Sequence, residues 1–104
     1  MAGSIKIRAR KQGDTTTVKA LIKHPMETGL RKDKKTGKKI PAHFIQEVNC
    51  EYGGQQVVNA LWGIAVSKNP YISFRFQGAN KGDTVKLSWV DNKGESDSIE
   101  TQIR

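Results

Sequence analysis

The stretch Phe44-Ile45-Gln46-Glu47-Val48-Asn49-Cys50-Glu51-Tyr52-Gly53-Gly54-Gln55-Gln56-Val57-Val58-Asn59-Ala60-Leu61 decides the fold. Phe44, Val48, Cys50 and Tyr52 alternate with Glu47, Asn49 and Glu51, the two-residue period of a half-buried strand. Gly53-Gly54 then supplies the pair of positive-φ residues that a tight hairpin turn needs. The stretch therefore predicts strand, turn, strand.

Working outward, the same period recurs. Ile5, Ile7 and Ala9 alternate with Lys6, Arg8 and Arg10, and Gly13-Asp14 turns the chain into a Thr- and Val-rich run whose inward phase is Val18, Ala20 and Ile22, with Leu21 opposite. Pro25 stops that run, because proline donates no ladder hydrogen bond. Towards the C-terminus, Ile72, Phe74 and Phe76 form one inward phase, Val85, Leu87 and Trp89 a second, and Ile99 and Ile103 a third, separated by Asn80-Lys81-Gly82-Asp83 and Asp91-Asn92-Lys93-Gly94. Leu61 to Ser67 reads as a loop or one helical turn, ended by Asn69-Pro70. About seven strands, each apolar on one side, predict an all-β chain: an immunoglobulin-like, two-sheet antiparallel β-sandwich, with a partly open barrel as runner-up. Leu21, Ile45 and Val90 fall outside the inward phases and are expected to form an apolar surface that pairs or is covered.

The chain has 104 residues, enough for one domain over 1–104, and 36% hydrophobic and 27% charged residues, a globular rather than a disordered composition. No apolar run approaches the roughly 20 residues of a membrane-crossing helix, so no membrane association is expected. The first residues carry no apolar h-region, which on its own predicts a cytoplasmic chain. The single cysteine closes no internal disulfide, and one Cys with two His is too few for a Cys-rich zinc site.

Eighteen basic against ten acidic residues give a net charge of +8, and Arg31, Lys32, Lys34, Lys35, Lys38 and Lys39, with Asp33, concentrate much of it in one loop or extended hairpin. Such a run either steers an anionic partner or is a solvated loop; without interleaved aromatics it does not favour nucleic acid. His24-Pro25-Met26-Glu27-Thr28-Gly29 sets an imidazole, a thioether and a carboxylate in one turn, but His43 is expected to lie apart from it across the basic loop, which argues against a metal site. Cys50 reads as a core thiol, and Glu47 and Glu51 as solvated surface. No catalytic residue, cofactor or metal is expected, so the residues describe a binding or scaffold module.

Three pieces together resemble one family: His24-Pro25-Met26-Glu27-Thr28-Gly29 followed by Lys38-Lys39-Ile40-Pro41; Tyr52-Gly53-Gly54 leading to Val57 and Ala60; and Asn69-Pro70-Tyr71-Ile72-Ser73-Phe74. In that order the chain is similar to the SoxZ family of the bacterial thiosulfate-oxidising Sox system, with Trp89, Asp91-Asn92 and Gly94 extending the likeness. Leu61-Trp62-Gly63-Ile64 falls where members vary. The resemblance implies an immunoglobulin-like sandwich and a non-enzymatic half of a heterodimeric sulfur carrier. Its SoxY-type partner bears a C-terminal cysteine arm that carries sulfur intermediates covalently to the Sox cytochromes, a sulfate-releasing hydrolase and a sulfur dehydrogenase. It also implies the periplasm, reached with a signal-bearing partner. In isolation the chain could form a homo-oligomer. The candidate docking residues are His24, Pro25, Met26, Glu27, Thr28, Gly29, Asn69, Pro70 and Tyr71, and the basic loop is the candidate steering element. The alternative function is a cytoplasmic nucleic-acid-binding β-barrel.

Overall fold

The apolar alternations become seven strands in the computed structural model, which describes residues 3–63 and 66–104. They are β1 (Ile5–Gln12), β2 (Thr15–Ile22), β3 (Ile45–Tyr52), β4 (Gln55–Leu61), β5 (Tyr71–Gln77), β6 (Thr84–Asp91) and β7 (Ser96–Gln102). Among the described residues there is no helix; of the Leu61 to Ser67 reading, Ile64 and Ala65 lie outside them. The strands make two antiparallel sheets, β1-β2-β5 and β4-β3-β6-β7, and the architecture is the immunoglobulin-like sandwich.

Side chains from both inner faces fill the core: Ile5, Ala9, Val18, Ala20 and Ile22 from one sheet, and Ile45, Val48, Cys50, Val85, Leu87 and Trp89 from the other. These are the inward phases of the sequence, with one correction. Ile45 is fully buried and not part of an exposed apolar surface. Ile45 pairs with Asp91 while Glu47 pairs with Val90, so a bulge at Gln46 reverses the phase of the first residues of β3. Leu21 is exposed as expected, and Val90 is half-buried. Trp89, the largest fully buried side chain, donates its indole N–H to Ser4 Oγ at 3.1 Å, and Ser4 donates both its hydroxyl and its amide hydrogen to Asp97.

The two long sides of the sandwich differ. On one, Arg104 N–H donates to Ala9 C=O (3.0 Å) and Lys11 N–H to Arg104 C=O (2.8 Å), which laces the end of the chain to β1 beside β7. On the other, β4 and β5 are the sheet edges, and among the described residues no backbone hydrogen bond joins them. Val57, Val58, Ala60, Ile72, Phe74 and Phe76 line that side, packed on the core yet only partly buried. The ends differ too. One carries the tight turns Gly13-Asp14 and Gly53-Gly54; the other gathers the long excursion 23–44, residues 66–70 and the turn after β6.

Gly53 and Gly54 sit at φ +59° and +79°, with nothing within 4 Å of a Cβ built on either. Conformation alone therefore selects glycine there. Gly53→Asn is expected to leave urea-unfolding stability within about 0.5 kcal/mol of wild type, and Gly53→Val to cost about 1–2 kcal/mol, because asparagine tolerates the left-handed region and a β-branched residue does not.

Candidate functional site

The site is built by two strands that run one step past their apolar phases. The inward phase of β2, Val18, Ala20 and Ile22, continues to His24, and that of β6, Val85, Leu87 and Trp89, ends on Asp91. Both polar side chains are fully buried at the same end of the sandwich. A carboxylate there must be supplied with donors, since an unpaired buried charge is very costly.

The donors are close. His24 Nε2 lies 3.0 Å and His43 Nε2 2.7 Å from the same oxygen, Asp91 Oδ2. The other oxygen accepts the backbone N–H groups of Lys93 (3.0 Å) and Glu95 (2.9 Å). His43 Nε2 is also 3.2 Å from Glu95 Oε2. Burial pushes the Asp91 carboxyl up, but the hydrogen bonds from His24, His43 and the Glu95 and Lys93 amides outweigh it and hold the group at about 2. Asp91 is thus an anion with its acceptor positions filled.

The two histidines lie together, ring centroids 4.5 Å apart, and Trp89 meets His24 edge to face at 5.2 Å. This corrects the expectation that His43 lies apart. The excursion returns on itself: Glu27 and His43 exchange backbone hydrogen bonds of 2.6 and 3.0 Å, and Lys32 bridges Lys39 further out. The basic run is accordingly an exposed two-stranded arm, closed by a turn from Asp33 to Gly37.

Of the candidate docking residues, Met26 and Asn69 hydrogen-bond His24 directly, and the others do not. Met26 N–H donates to His24 Nδ1 at 3.1 Å. Asn69 Oδ1 accepts His24 N–H at 3.2 Å, and Asn69 N–H donates to His24 C=O at 3.0 Å. Met26 (φ 48°) and Asn69 (φ 52°) are, among the described residues, the non-glycine residues with positive φ. Such conformations persist where surroundings over-determine them and concentrate at functional sites. Met26 is held by burial and by the Ile45 amide, which donates to its Sδ at 3.4 Å. Gly29 packs against Ala42, where an added Cβ would stand 3.3 Å from the Ala42 Cβ. Glu27 accepts Arg31 Nε and Nη2 at 3.2 and 2.5 Å, and that pairing draws its carboxyl below the usual range. Thr28 Oγ1 accepts the Leu30 amide; Pro25 is half-buried, Pro70 buried and Tyr71 exposed at the start of β5.

Three residues central to this arrangement were not among the candidate docking residues: His43, Asp91 and Asn92. Asn92 fastens the returning strand, its Nδ2 donating to Ala42 C=O (2.9 Å), its Oδ1 accepting Phe44 N–H (2.8 Å) and its N–H donating to Phe44 C=O (3.0 Å). The signal for Asp91 was its phase, since a carboxylate in the inward row of an apolar strand implies buried donors nearby.

His24, His43 and Asp91 offer three ligand atoms within 4.8 Å of one another. The hydrogen-bond pattern argues for a different role. His24 Nδ1 accepts the Met26 amide, so the ring proton sits on Nε2 and points at Asp91. Ligation through Nε2 would require that proton to move to Nδ1, against the Met26 N–H. The cluster as built is a clamp between the two sheets and the excursion. Cys50 is not a member of it; the thiol is fully buried in mid-strand.

With this geometry in view, the chain matches the family model described as sulphur oxidation protein SoxZ over residues 5–102, and it belongs to that family. It is thereby a component of a sulfur-oxidising Sox system. Comparison with curated proteins finds no match. Among solved structures, the chain is similar to a hypothetical protein from Pyrococcus horikoshii OT3 (20% identity, TM-score 0.69, covering 100% of this chain and 95% of that one). It is also similar to a superoxide reductase from Nanoarchaeum equitans (14%, TM-score 0.66, 95% and 90%) and to a superoxide reductase (neelaredoxin) from Ignicoccus hospitalis (13%, TM-score 0.61, 97% and 79%). At these identities the likeness is one of fold.

The clamp sets a pH dependence. Asp91 has a folded pKa depressed from 3.8 to about 2, so its stabilising contribution is complete above about pH 4 and is lost as pH falls through 2. Asp91→Asn is expected to cost about 2–4 kcal/mol at neutral pH, since two histidines lose a charged acceptor. It should also flatten the stability profile between pH 4 and pH 2. Urea denaturation of both proteins across that range checks this, and parallel wild-type and variant profiles would refute it.

Proposed function

We propose that this SoxZ-family chain is the supporting subunit of a heterodimeric sulfur carrier for thiosulfate oxidation in the periplasm. It holds and orients a SoxY-type partner whose cysteine arm bears the sulfur intermediates and offers them to the Sox cytochromes, the sulfate-releasing hydrolase and the sulfur dehydrogenase. In this reading the whole chain, residues 1–104, is one domain with no catalytic role and no cofactor.

The observation that carries the division of labour is the state of Cys50. Burial first, and the Glu51 carboxylate second, push its thiol up to about 11. Covalent sulfur chemistry needs an accessible thiolate. Neither condition is met, so the sulfur must ride on the partner.

The open side of the sandwich is the place for that partner. Two free sheet edges above partly buried Val58, Ala60, Phe74 and Phe76 leave backbone donors and apolar surface that a monomer would normally cover. Leu61, 76% exposed at the end of β4, and Tyr71, 59% exposed at the start of β5, frame it. The His24–Gly29 turn adjoins it through Asn69 and presents a shallow hollow lined by Pro25, Met26, Glu27, Thr28, Arg31 and Lys68. In the absence of partner the same edges pair between copies of the chain. The arm bearing Arg31, Lys32, Lys34, Lys35, Lys38 and Lys39 speeds encounter with anionic partners, an effect that fades beyond the screening length of about 8–10 Å.

Two measurements test the reading. After turnover with thiosulfate, mass spectrometry should place every sulfur adduct on the partner, and Cys50→Ser should retain activity as long as it folds. An adduct on Cys50 would overturn the assignment. In sedimentation of the mixed chains, Leu61→Glu with Tyr71→Glu should weaken the 1:1 complex by about tenfold or more, as expected for loss of interface anchors. Both sites are exposed, so melting of the isolated chain should barely move; unchanged association would exclude this side as the interface.

A further inference from the structure

The outer faces of the two sheets follow opposite charge rules. On β4-β3-β6-β7 the register sets Glu51 opposite Lys86 and Lys86 opposite Glu100, alternating sign across three strands. Opposite charges across a sheet are the stabilising arrangement.

The outer face of β1-β2-β5 does the reverse. Its successive rows are Lys6–Leu21–Tyr71, Arg8–Lys19–Ser73, Arg10–Thr17–Arg75 and Gln12–Thr15–Gln77. These twelve positions hold five cations and no carboxylate, and Arg8 stands directly opposite Lys19. All five cations are exposed, and among the described residues none has an ion-pair partner. Asp14, the neighbouring acid in sequence, sits in the β1–β2 turn beyond the last row. Like charges facing each other across a strand pair destabilise the isolated sheet. A single-sign face of this kind contributes by acting on something outside it.

We propose that this face docks the acidic surface of a partner protein. Its five cations lie apart from the basic arm, and it meets the open side that the carrier reading assigns to the partner subunit only along β5, at Tyr71; it does not depend on that reading. Two shallow hollows lie on the face, one beside Arg8, Arg10 and Lys19 and one beside Lys19, Tyr71 and Arg75, but both are broadly open to solvent, whereas a small anion is held where donors converge in an enclosed pocket. Nucleic acid would favour several exposed aromatics for stacking or an element that enters a groove; Tyr71, at one end, is the single aromatic residue on the face. A protein fits better. Two strands of eight residues and one of seven span about 14 by 27 Å, within the range of a small transient interface. Arginine and tyrosine are the residues enriched in such interfaces, and the adjacent Leu21 and Tyr71 give an apolar anchor at the edge of the charged rows.

The test uses the full chain, labelled with nitrogen-15, and three probes: a glutamate oligomer, a DNA duplex of equal charge, and sodium sulfate. The glutamate oligomer should shift amides of β1, β2 and β5 around Arg8, Arg10, Lys19 and Arg75. Arg8→Gln, Lys19→Gln and Arg75→Gln together should weaken that binding about tenfold at low salt. The triple variant should melt at the same temperature as wild type or above it, which separates lost binding from lost fold. Lys34→Gln, Lys35→Gln, Lys38→Gln and Lys39→Gln together should leave the sheet-face shifts in place. Shifts confined to the arm, tighter binding of the duplex to the same face, equal shifts with sulfate, or no shift on β1, β2 and β5 would each overturn the proposal. So would self-association that buries the face against a second copy.

Discussion

The buried Asp91 carboxylate is the constraint on which one end of the molecule depends. It lies where an apolar strand would place another leucine or valine, and its ionised state requires donors from elsewhere in the chain. They come from residues 67 and 48 positions away, His24 and His43. Because His24 follows β2 and His43 precedes β3, satisfying one anion joins both sheets and closes the base of the excursion from which the basic arm projects. The strained backbones of Met26 and Asn69 follow from it, since each places a hydrogen-bonding group on His24. Replacing one of these groups takes a partner from buried His24 or Asp91, which favours a single shape for the turn.

That fixed end sits on a scaffold with unequal sides. Where the C-terminal residues lace to β1, the sandwich is finished; where β4 and β5 run as edges, it is not. An edge strand is ordinarily protected by charge, proline or a bulge. β4 carries one such device, a bulge at Val57 opposite the Cys50–Glu51 step, yet the inward residues of β4 and β5 stay partly exposed, and Leu61 and Tyr71 stand out beside them. A rigid end and an unfinished side suit the proposed role of holding another subunit in place.

Much of the fold was legible because strands are local objects: a two-residue period and a turn chemistry can be read within ten residues. The inward rows of β1, β2, β5 and β6 and the Gly53-Gly54 turn came directly from that. What escaped was non-local or broke the period. Ile45 was misplaced because a bulge reverses the phase, and nothing in Gln46-Glu47 announces one. His43 was set apart from His24 because the segment between them has no periodicity, and only its return through the Glu27–His43 bridge brings them together. Asp91 was legible and overlooked: it occupies the next inward position after Trp89, as His24 does after Ile22. Two polar residues that each extend the inward phase of an apolar strand, one in either sheet, are a sequence signal for a buried pair.

The cationic face shows the same limit from the other direction. Lys6, Arg8 and Arg10 share a phase that the sequence displays openly, yet a row of three cations on one strand is unremarkable on a solvated surface. It becomes a field only when topology places β2 beside β1 and β5 beside β2, so that Lys19 and Arg75 join the row with no carboxylate between them. The Cys50 thiol is sealed in the core, and Asp91, the buried acid among the described residues, is fully hydrogen-bonded. What remains available is surface: an apolar open side, a basic arm and a single-sign face, each suited to a different kind of contact. In the proposed reading, specificity comes from how these surfaces are oriented relative to one another, and the Asp91 clamp is the interaction that sets the orientation of the arm against the sheets.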